Sequence, residues 1–432
     1  MSTLRLPLRE GAWWLHPAWT AMLATLPGLL AAWTIGDDRF REWWRTPKIF
    51  DDGKALIVLA FVGVFVVGCM LPSLARPVRA TGIAVNARQR RILLLTGRSA
   101  AALTVVGYAV WLASAVSGGL SLADLGAVFA LSPGSADAVK SELATIGGVT
   151  TLTQLGPLAM VCLFLDRRLG GRPHTAAFTV LTGLTLARVV LNSERLALME
   201  VVLPILAVIS TLRPGDGRRH HRWLWAGLPL LAPFALVTLF GTFEYVRSWS
   251  HYSTTMQIDY SEFVLRRLTG YYATAYNNSA IVVDEIGPGL VWPYYTVGFL
   301  WNFPGLSAVL TPESVLGFDP ARVWPGLLWR FGNPEYNNTG GLLAPLADYG
   351  LAGGMVFWGA TGLAIGACHR WMRSGEVRGL VLYPVLYVGL VDLARYFYWG
   401  EGRAFPSLVG AVLLALFLHR RRAPGENPAE RT

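Results

Sequence analysis

Charge is scarce in this sequence. Of its 432 residues, 15% are Asp, Glu, Lys or Arg and 53% are hydrophobic, whereas a soluble domain carries about 25% charge. A chain this apolar lacks the polar surface that a soluble globular protein needs. Cysteine is scarcer still. Cys69, Cys162 and Cys368 lie in or beside apolar runs without metal-ligand spacing, which marks them as packing residues. There is no glycine-rich nucleotide loop, zinc signature, His-x-x-x-His helix or heptad repeat, so neither a metal nor a cofactor is expected. His220 and His221 sit in a basic loop and read as surface residues. The opening MSTLRLPLREGAWWLHPAW has no small-residue cleavage pattern behind a short apolar core, so the first span is expected to insert as an anchor.

What the sequence does have is apolar runs of membrane-span length. Ten spans are expected, at roughly 17–35, 55–72, 99–117, 148–165, 175–191, 196–211, 223–241, 351–368, 379–394 and 405–419. The loops test this threading. Arg76, Arg79, Arg88, Arg90, Arg91 and Arg98 fall between Leu74 and Arg98 with no acid among them; DRRLGGR, RPGDGRRHHR, HRWMRSGEVR and HRRR are also basic. Ten spans put all five on one face, with both termini, and the positive-inside rule makes that face cytoplasmic. The opposite loops are mixed or acidic, as in DDRFREWWRTPKIFDDGK and around Asp137, Lys140 and Glu142. The net charge of +10 therefore reflects topology, and no nucleic-acid partner is expected.

The expected plan is an all-α polytopic membrane protein of about 10–12 transmembrane helices. Its parts are N-terminal membrane helices over 1–241, a large extracytoplasmic loop or cap over 242–350, C-terminal membrane helices over 351–420 and a cytoplasmic tail over 421–432. A structureless loop of that length is uncommon, so a folded cap is expected. Within it, MQIDYSEFVLRRL reads as an amphipathic interfacial helix. LVWPYYTVGFLWNFPGLSAVL is apolar but interrupted by Pro293 and Pro304, and reads as a re-entrant or surface-lying element. Most of the Trp and Tyr residues flank spans, as an interfacial belt does.

Charges at the outer edges need an explanation. Arg195 sits in NSER, with Glu194 and Glu200 close by; it is either a local Arg–Glu lock or an anion site, because a bare arginine at that depth is costly. In GTFEYVRSWSHY a continuing helix would set Glu244, Arg247 and His251 at i, i+3 and i+7, placing acid, base and imidazole on one face. Arg266 and Arg267, with Glu262, form a second basic edge, suited to phosphate or to lipid head groups. Asp392, Arg395, Glu401 and Arg403 mark a third. Arginines from three edges could share one polyanion such as a diphosphate. Asn277, Asn278, Asn337 and Asn338, with Tyr336 and Tyr349 nearby, suit a sugar, since amides bond hydroxyls and aromatic faces cover a ring; the competing reading is turn formation before glycines.

The many spans, the outer arginines, the large loop and the late N-x-T-G-G-x-x-x-x-L-x-D-Y-G-x-x-G-G segment, Asn337 to Gly354, resemble the bacterial oligosaccharide repeat-unit polymerases, the Wzy-like O-antigen polymerase family, distantly related to O-antigen ligases. The resemblance implies a GT-C-like, metal-independent glycosyltransferase in the bacterial cytoplasmic (inner) membrane. It would polymerise undecaprenyl-diphosphate-linked oligosaccharides at the outer face into a surface polysaccharide. Membrane lipids, a chain-length regulator and a flippase would be its partners. The family's outer-loop arginines would correspond to Arg195 and Arg247. The histidine used by ligase-like enzymes would correspond to His251, although that residue opens the large loop rather than closing it. Arg247, Arg195, His251 and Glu244 are thus the expected catalytic set, with His251 or Glu244 accepting the hydroxyl proton. Arg266, Arg267, Arg395 and Arg403 would bind the diphosphate. An O-antigen-ligase-like transferase and a lipid-linked glycan transporter or flippase are the alternative readings.

Overall fold

A computed structural model of the chain describes residues 4–9, 12–74, 80, 82–129, 139, 143, 146–191, 194–213, 222–255, 258–289 and 292–419. The expected cytoplasmic tail and the loop charges at Arg76, Arg79, Asp137, Lys140, Glu142, His220 and His221 lie outside the described residues.

Each of the ten expected spans coincides with a helix. In chain order the main helices are α1 (Pro17–Thr34), α2 (Asp37–Trp44), α3 (Asp52–Leu74), α4 (Ala87–Ser117), α5 (Gly156–Arg168), α6 (Thr175–Leu191), α7 (Arg195–Thr211), α8 (Arg222–Glu244), α9 (Tyr260–Glu285), α10 (Pro320–Phe331), α11 (Ala344–Arg373), α12 (Val377–Val391) and α13 (Phe405–Leu418). Among the described residues, four helices are long and apolar enough to cross a bilayer: α3, α4, α8 from Trp225 onward, and α11. A fifth passes if α1 and α2, bent by 107°, count as one span, while α6, α12 and α13 are shorter apolar helices. Leu230 and Phe234 on α8 and Val356 on α11 are each more than 70% exposed. Apolar surface on this scale is stable only against lipid. The chain is a multi-pass helical membrane protein.

Two boundaries differ from expectation for local reasons. α4 begins at Ala87 rather than near 99 because Asn86 caps it: Asn86 Oδ1 accepts from the Gln89 amide at 2.8 Å, and Gln89 Oε1 accepts from the Asn86 amide at 3.1 Å. Arginines assigned to a loop therefore ride on the helix, and Arg90 pairs with the buried Asp166 at 3.1 Å. α11 is broken at Gly350, whose φ is 68°, so its continuous part starts where the span was expected.

Helix ends gather at one face, where a two-stranded antiparallel sheet joins β1 (Leu4–Pro7) to β2 (Gly82–Val85). There the Arg213 amide donates to the Pro7 carbonyl at 2.9 Å, Arg373 to the Arg9 carbonyl at 2.9 Å and Gln89 to the Leu418 carbonyl at 2.9 Å. Elsewhere α2 and the residues after it meet α9 and α10, where Trp44 donates to the Arg266 carbonyl at 2.9 Å and Thr46 to the Phe331 carbonyl at 3.0 Å. Within 242–350 the helices include the end of α8, α9, the short Gly298–Trp301 and Pro312–Leu316, α10 and the start of α11, with a non-helical loop over 332–343. The apolar stretch from Trp292 to Leu310 forms turns and the short helix Gly298–Trp301, not a span; its two prolines remove the donors a continuous helix would need.

Candidate functional site

α9 organises the region where it meets α2 and α10. It runs about 39 Å at 1.5 Å per residue from the end of α8, where Tyr260 donates to the Gly241 carbonyl, to the start of α3, where Asp284 meets Lys54 at 3.0 Å. Its buried positions include Phe263, Arg267, Gly270, Thr274, Asn278 and Ile281. They recur at three- and four-residue steps, which is one helical stripe. The first part of α9 is amphipathic, as expected for 256–268, but from Ala273 to Val282 the helix is buried on every side, and it carries Arg267, Asn277 and Asn278 into the interior. Buried polar groups must be paired, and their partners define the site.

The two asparagine motifs bind each other. Asn278 donates from Nδ2 to the carbonyl oxygens of Tyr336 (2.5 Å) and Asn338 (2.9 Å), and Ser279 Oγ donates to that of Thr339 (2.7 Å). Asn277 is used differently. Its Oδ1 accepts from the Ile49 and Phe50 amides at 2.6 and 3.0 Å, and its Nδ2 donates to the Pro47 carbonyl at 2.9 Å. Both side chains are buried and hydrogen-bond to backbone groups rather than facing the surface. They are clamps that hold the 47–50 and 336–339 segments against α9. On its other side the 336–341 loop meets the loop after α12, where the Gly340 amide donates to the Arg395 carbonyl at 2.9 Å.

The clamped loop delivers Glu335 to Arg267. Arg267 donates from Nη1 to Glu335 Oε2 at 2.7 Å and from Nε to Glu244 Oε2 at 2.7 Å; Glu244 Oε1 takes Arg195. Tyr252 reaches both oxygens of Glu335, at 2.6 and 2.7 Å. The chain therefore runs Arg195–Glu244–Arg267–Glu335–Tyr252, with Glu244 wholly buried. Burial pushes the Glu335 carboxyl up, but the hydrogen bonds from Tyr252 and Arg267 and the charges of Arg267 and Arg45 outweigh it and hold the group below its ordinary value. Burial and the adjacent carboxylate push the Tyr252 phenol up.

A second chain lies alongside. Arg403 grips Glu200 with two nitrogens, at 2.6 and 2.9 Å, and reaches Glu194 at 2.5 Å; Glu194 also takes Arg188 at 2.7 Å, and Tyr398 donates to Glu200 at 2.8 Å. The local lock expected between Arg195 and its sequence neighbours Glu194 and Glu200 does not form; both acids serve Arg403, and Arg195 finds its acid on α8. Asp392 and Arg395 do pair, at 3.3 Å. Asp392 Oδ2 and Arg395 Nε are buried without a partner.

Tyrosines join the chains. Tyr271 has Arg195 over its ring at 5.6 Å and Arg395 at 5.8 Å, and its ring packs edge-on against Tyr336 at 5.5 Å; Arg267 lies 5.5 Å from the Tyr336 ring. Three guanidinium groups from α7, α9 and the loop after α12 thus share one tyrosine pair.

The remaining expected residues are placed as follows. Arg247 lies in a π-helical turn, Tyr245–Trp249; its side chain lies outside the described part of the structure. The π turn shifts the register, so the i, i+3, i+7 face does not form: Glu244 points inward and His251 is exposed. Both Glu244 carboxylate oxygens are paired with arginines and the side chain is wholly buried. Arg266 pairs with Glu262 at 2.5 Å and Glu42 at 3.3 Å, beside Trp43. Asn337 is exposed and Asn338 half-buried. Tyr349 shares a 2.7 Å hydrogen bond with Thr296. Tyr336 is buried. Glu335 and Arg188 were not foreseen as site residues. Glu335 had one signal, an acid beside the paired asparagines in an otherwise apolar region; Arg188, inside an expected span, had the general signal of an intramembrane charge.

This is a helical membrane protein with an arginine–carboxylate site at one face of its bundle. No protein-family model, curated protein or solved structure matches the chain.

Proposed function

We propose that this protein polymerises undecaprenyl-diphosphate-linked oligosaccharides at the outer face of a bacterial cytoplasmic membrane. The observation that carries the reading is the convergence of Arg195, Arg267 and Arg395 on the Tyr271–Tyr336 pair. A diphosphate offers enough acceptor oxygens for several guanidinium forks. The acceptor hydroxyl attacks the anomeric carbon of the donor glycan, the carbon–phosphate oxygen bond breaks, and lipid diphosphate leaves with the electron pair. Arginines aimed at that leaving group stabilise the charge as it develops. In the resting site Arg195, Arg267 and Arg403 are each held by carboxylates. Arg395 has one long pairing and an unpaired Nε, so it is the guanidinium with capacity to spare.

The experiment is reconstitution of the purified protein in liposomes with its lipid-linked repeat unit, read as chain length on a gel. The parent produces a ladder, and folded Arg195→Lys and Arg395→Lys variants, which keep the charge but lose the fork, produce little. Transfer of a preformed chain to a different acceptor, without a ladder, points to ligation. No transfer from folded protein and verified substrate defeats the reading.

A further inference from the structure

Beside Arg267 lies an open groove lined by Trp43, Tyr252, Arg266, Arg267, Glu335 and Tyr336, among others. We propose that this groove receives the terminal sugar of the acceptor glycan and that Glu335 takes the proton from its attacking hydroxyl. The inference rests on the polymerase reading and names the acceptor side of that site.

Three observations single out Glu335. The first is access. The side chain of Glu335 is 44% exposed, against 25% for Glu194, 3% for Glu200 and Asp392 and none for Glu244. Of the carboxylates that pair with the arginine field, Arg195, Arg267, Arg395 and Arg403, it is the most exposed; Glu262 and Glu42, more exposed still, pair with Arg266 and not with these four. The second is position. Glu335 sits 2.7 Å from Arg267, the arginine common to the groove and the field, so a sugar seated there has the proton acceptor and the diphosphate-binding group on adjoining sides. The third is rigidity. Asn333 Oδ1 accepts from the Glu335 amide at 2.9 Å while its Nδ2 donates to the Trp44 carbonyl at 2.9 Å. This side-chain turn fixes Glu335 to α2. Trp43, half-buried at the groove, supplies aromatic surface of the kind that covers a sugar ring.

The step balances. The hydroxyl oxygen bonds to the anomeric carbon, the bond to the diphosphate oxygen breaks with its electron pair, and the hydroxyl proton passes to Glu335 and then to water. A carboxylate has about four acceptor positions; the one Tyr252 hydroxyl proton, placed between the two oxygens, and the Arg267 Nη1 proton are the donors on it, so Oε1 keeps acceptor capacity for the hydroxyl.

The test compares the parent with Glu335→Gln in the same liposomes, with undecaprenyl diphosphate binding measured in parallel. Glutamine keeps an acceptor oxygen for Tyr252 or Arg267 but cannot take a proton. The expected result is a turnover lower by about 100-fold or more, with unchanged undecaprenyl diphosphate binding, and recovery of Glu335→Ala activity on adding formate. Tyr252→Phe supplies an independent readout if Glu335→Gln fails to fold. It removes one of the groups that hold Glu335 low, alongside Arg267 and Arg45, so the acid limb of its pH–turnover curve moves to higher pH. Parental turnover in Glu335→Gln, or an unmoved acid limb in Tyr252→Phe, overturns the assignment and leaves the polymerase reading standing. A parent that neither builds chains nor binds undecaprenyl diphosphate defeats both.

Discussion

Asn278 on α9 donates its side-chain amide to the backbone carbonyl of Tyr336, 58 residues away, at 2.5 Å. The same nitrogen reaches Asn338, so one buried asparagine sets the path of the loop that presents Glu335. Asn278→Ala leaves two carbonyls without their donor. At about 1–3 kcal/mol for each buried group left unsatisfied, the variant should melt well below the parent in detergent. Asn337→Ala, at an exposed neighbour, should stay within about 0.5 kcal/mol. Equal losses at both positions would mean that the clamp is not what holds the loop.

Glu244 carries two arginines and is closed off from solvent. Glu244→Ala strands Arg195 and leaves Arg267 with Glu335 alone, and breaking a buried pair in this way costs about 3–5 kcal/mol. Adding Arg195→Met to that background should restore part of the loss, because one stranded charge goes with it. Thermal unfolding of the four members of this cycle measures the coupling; strictly additive losses would show that the two residues do not interact.

The sequence carried the bundle much further than the site. Ten apolar runs became ten helices because span length and apolarity are local properties, written in consecutive residues. The paired asparagines were legible as unusual but not as partners. Their alternative reading, turn formation, fails for Asn277 and Asn278, which lie inside α9, and residues 337–340 form no turn; Asn278 works across 58 residues, and no spacing rule reaches that far. Arg195 shows the same limit. Its sequence neighbours Glu194 and Glu200 suggested a local lock, yet helix direction sends both acids to Arg403, and the acid for Arg195 arrives on α8. Asp392 and Arg395, three residues apart, were legible because the pairing is local.

α3 and α11 form the most extensive helix pair in the bundle, and the contact depends on glycine. A Cβ on Gly362 would stand 2.3 Å from the Phe65 carbonyl oxygen, one on Gly366 2.5 Å from that of Cys69, and one on Gly68 2.6 Å from that of Gly359. These are backbone atoms, which cannot turn aside as a side chain can. Small residues let membrane helices approach this closely. Gly362→Ala should therefore separate the pair and cost about 1–3 kcal/mol, the range for overpacking. Gly63 lies on α3 with nothing within 4 Å of a built Cβ, so Gly63→Ala should be neutral or stabilise by up to about 1 kcal/mol through helix propensity. Melting temperatures in a common detergent compare the two, and a tolerant Gly362 would argue against the close seam.

The pH response of the groove follows from the direction of the Glu335 shift. The folded protein holds this carboxyl below its unfolded value, so the unfolded chain binds the proton more tightly and acid favours unfolding. The contribution is fully present above the ordinary glutamate range and is lost as pH falls through the folded value. Screening by solvent keeps it modest, since the side chain is 44% exposed. The stability difference between the parent and Glu335→Gln should therefore be constant from neutral pH down to about 5 and shrink below the ordinary glutamate value of about 4.3. Tyr252→Phe removes one of the bonds that lower the carboxyl, so its contribution should be smaller and its loss complete at a higher pH than in the parent, while the onset, set by the unfolded chain, stays where it is. Unfolding temperatures for the three proteins across that interval decide the matter. A parent–Gln difference that grows as pH falls would reverse the sign and place Glu335 on the protonated side of its pairing with Arg267.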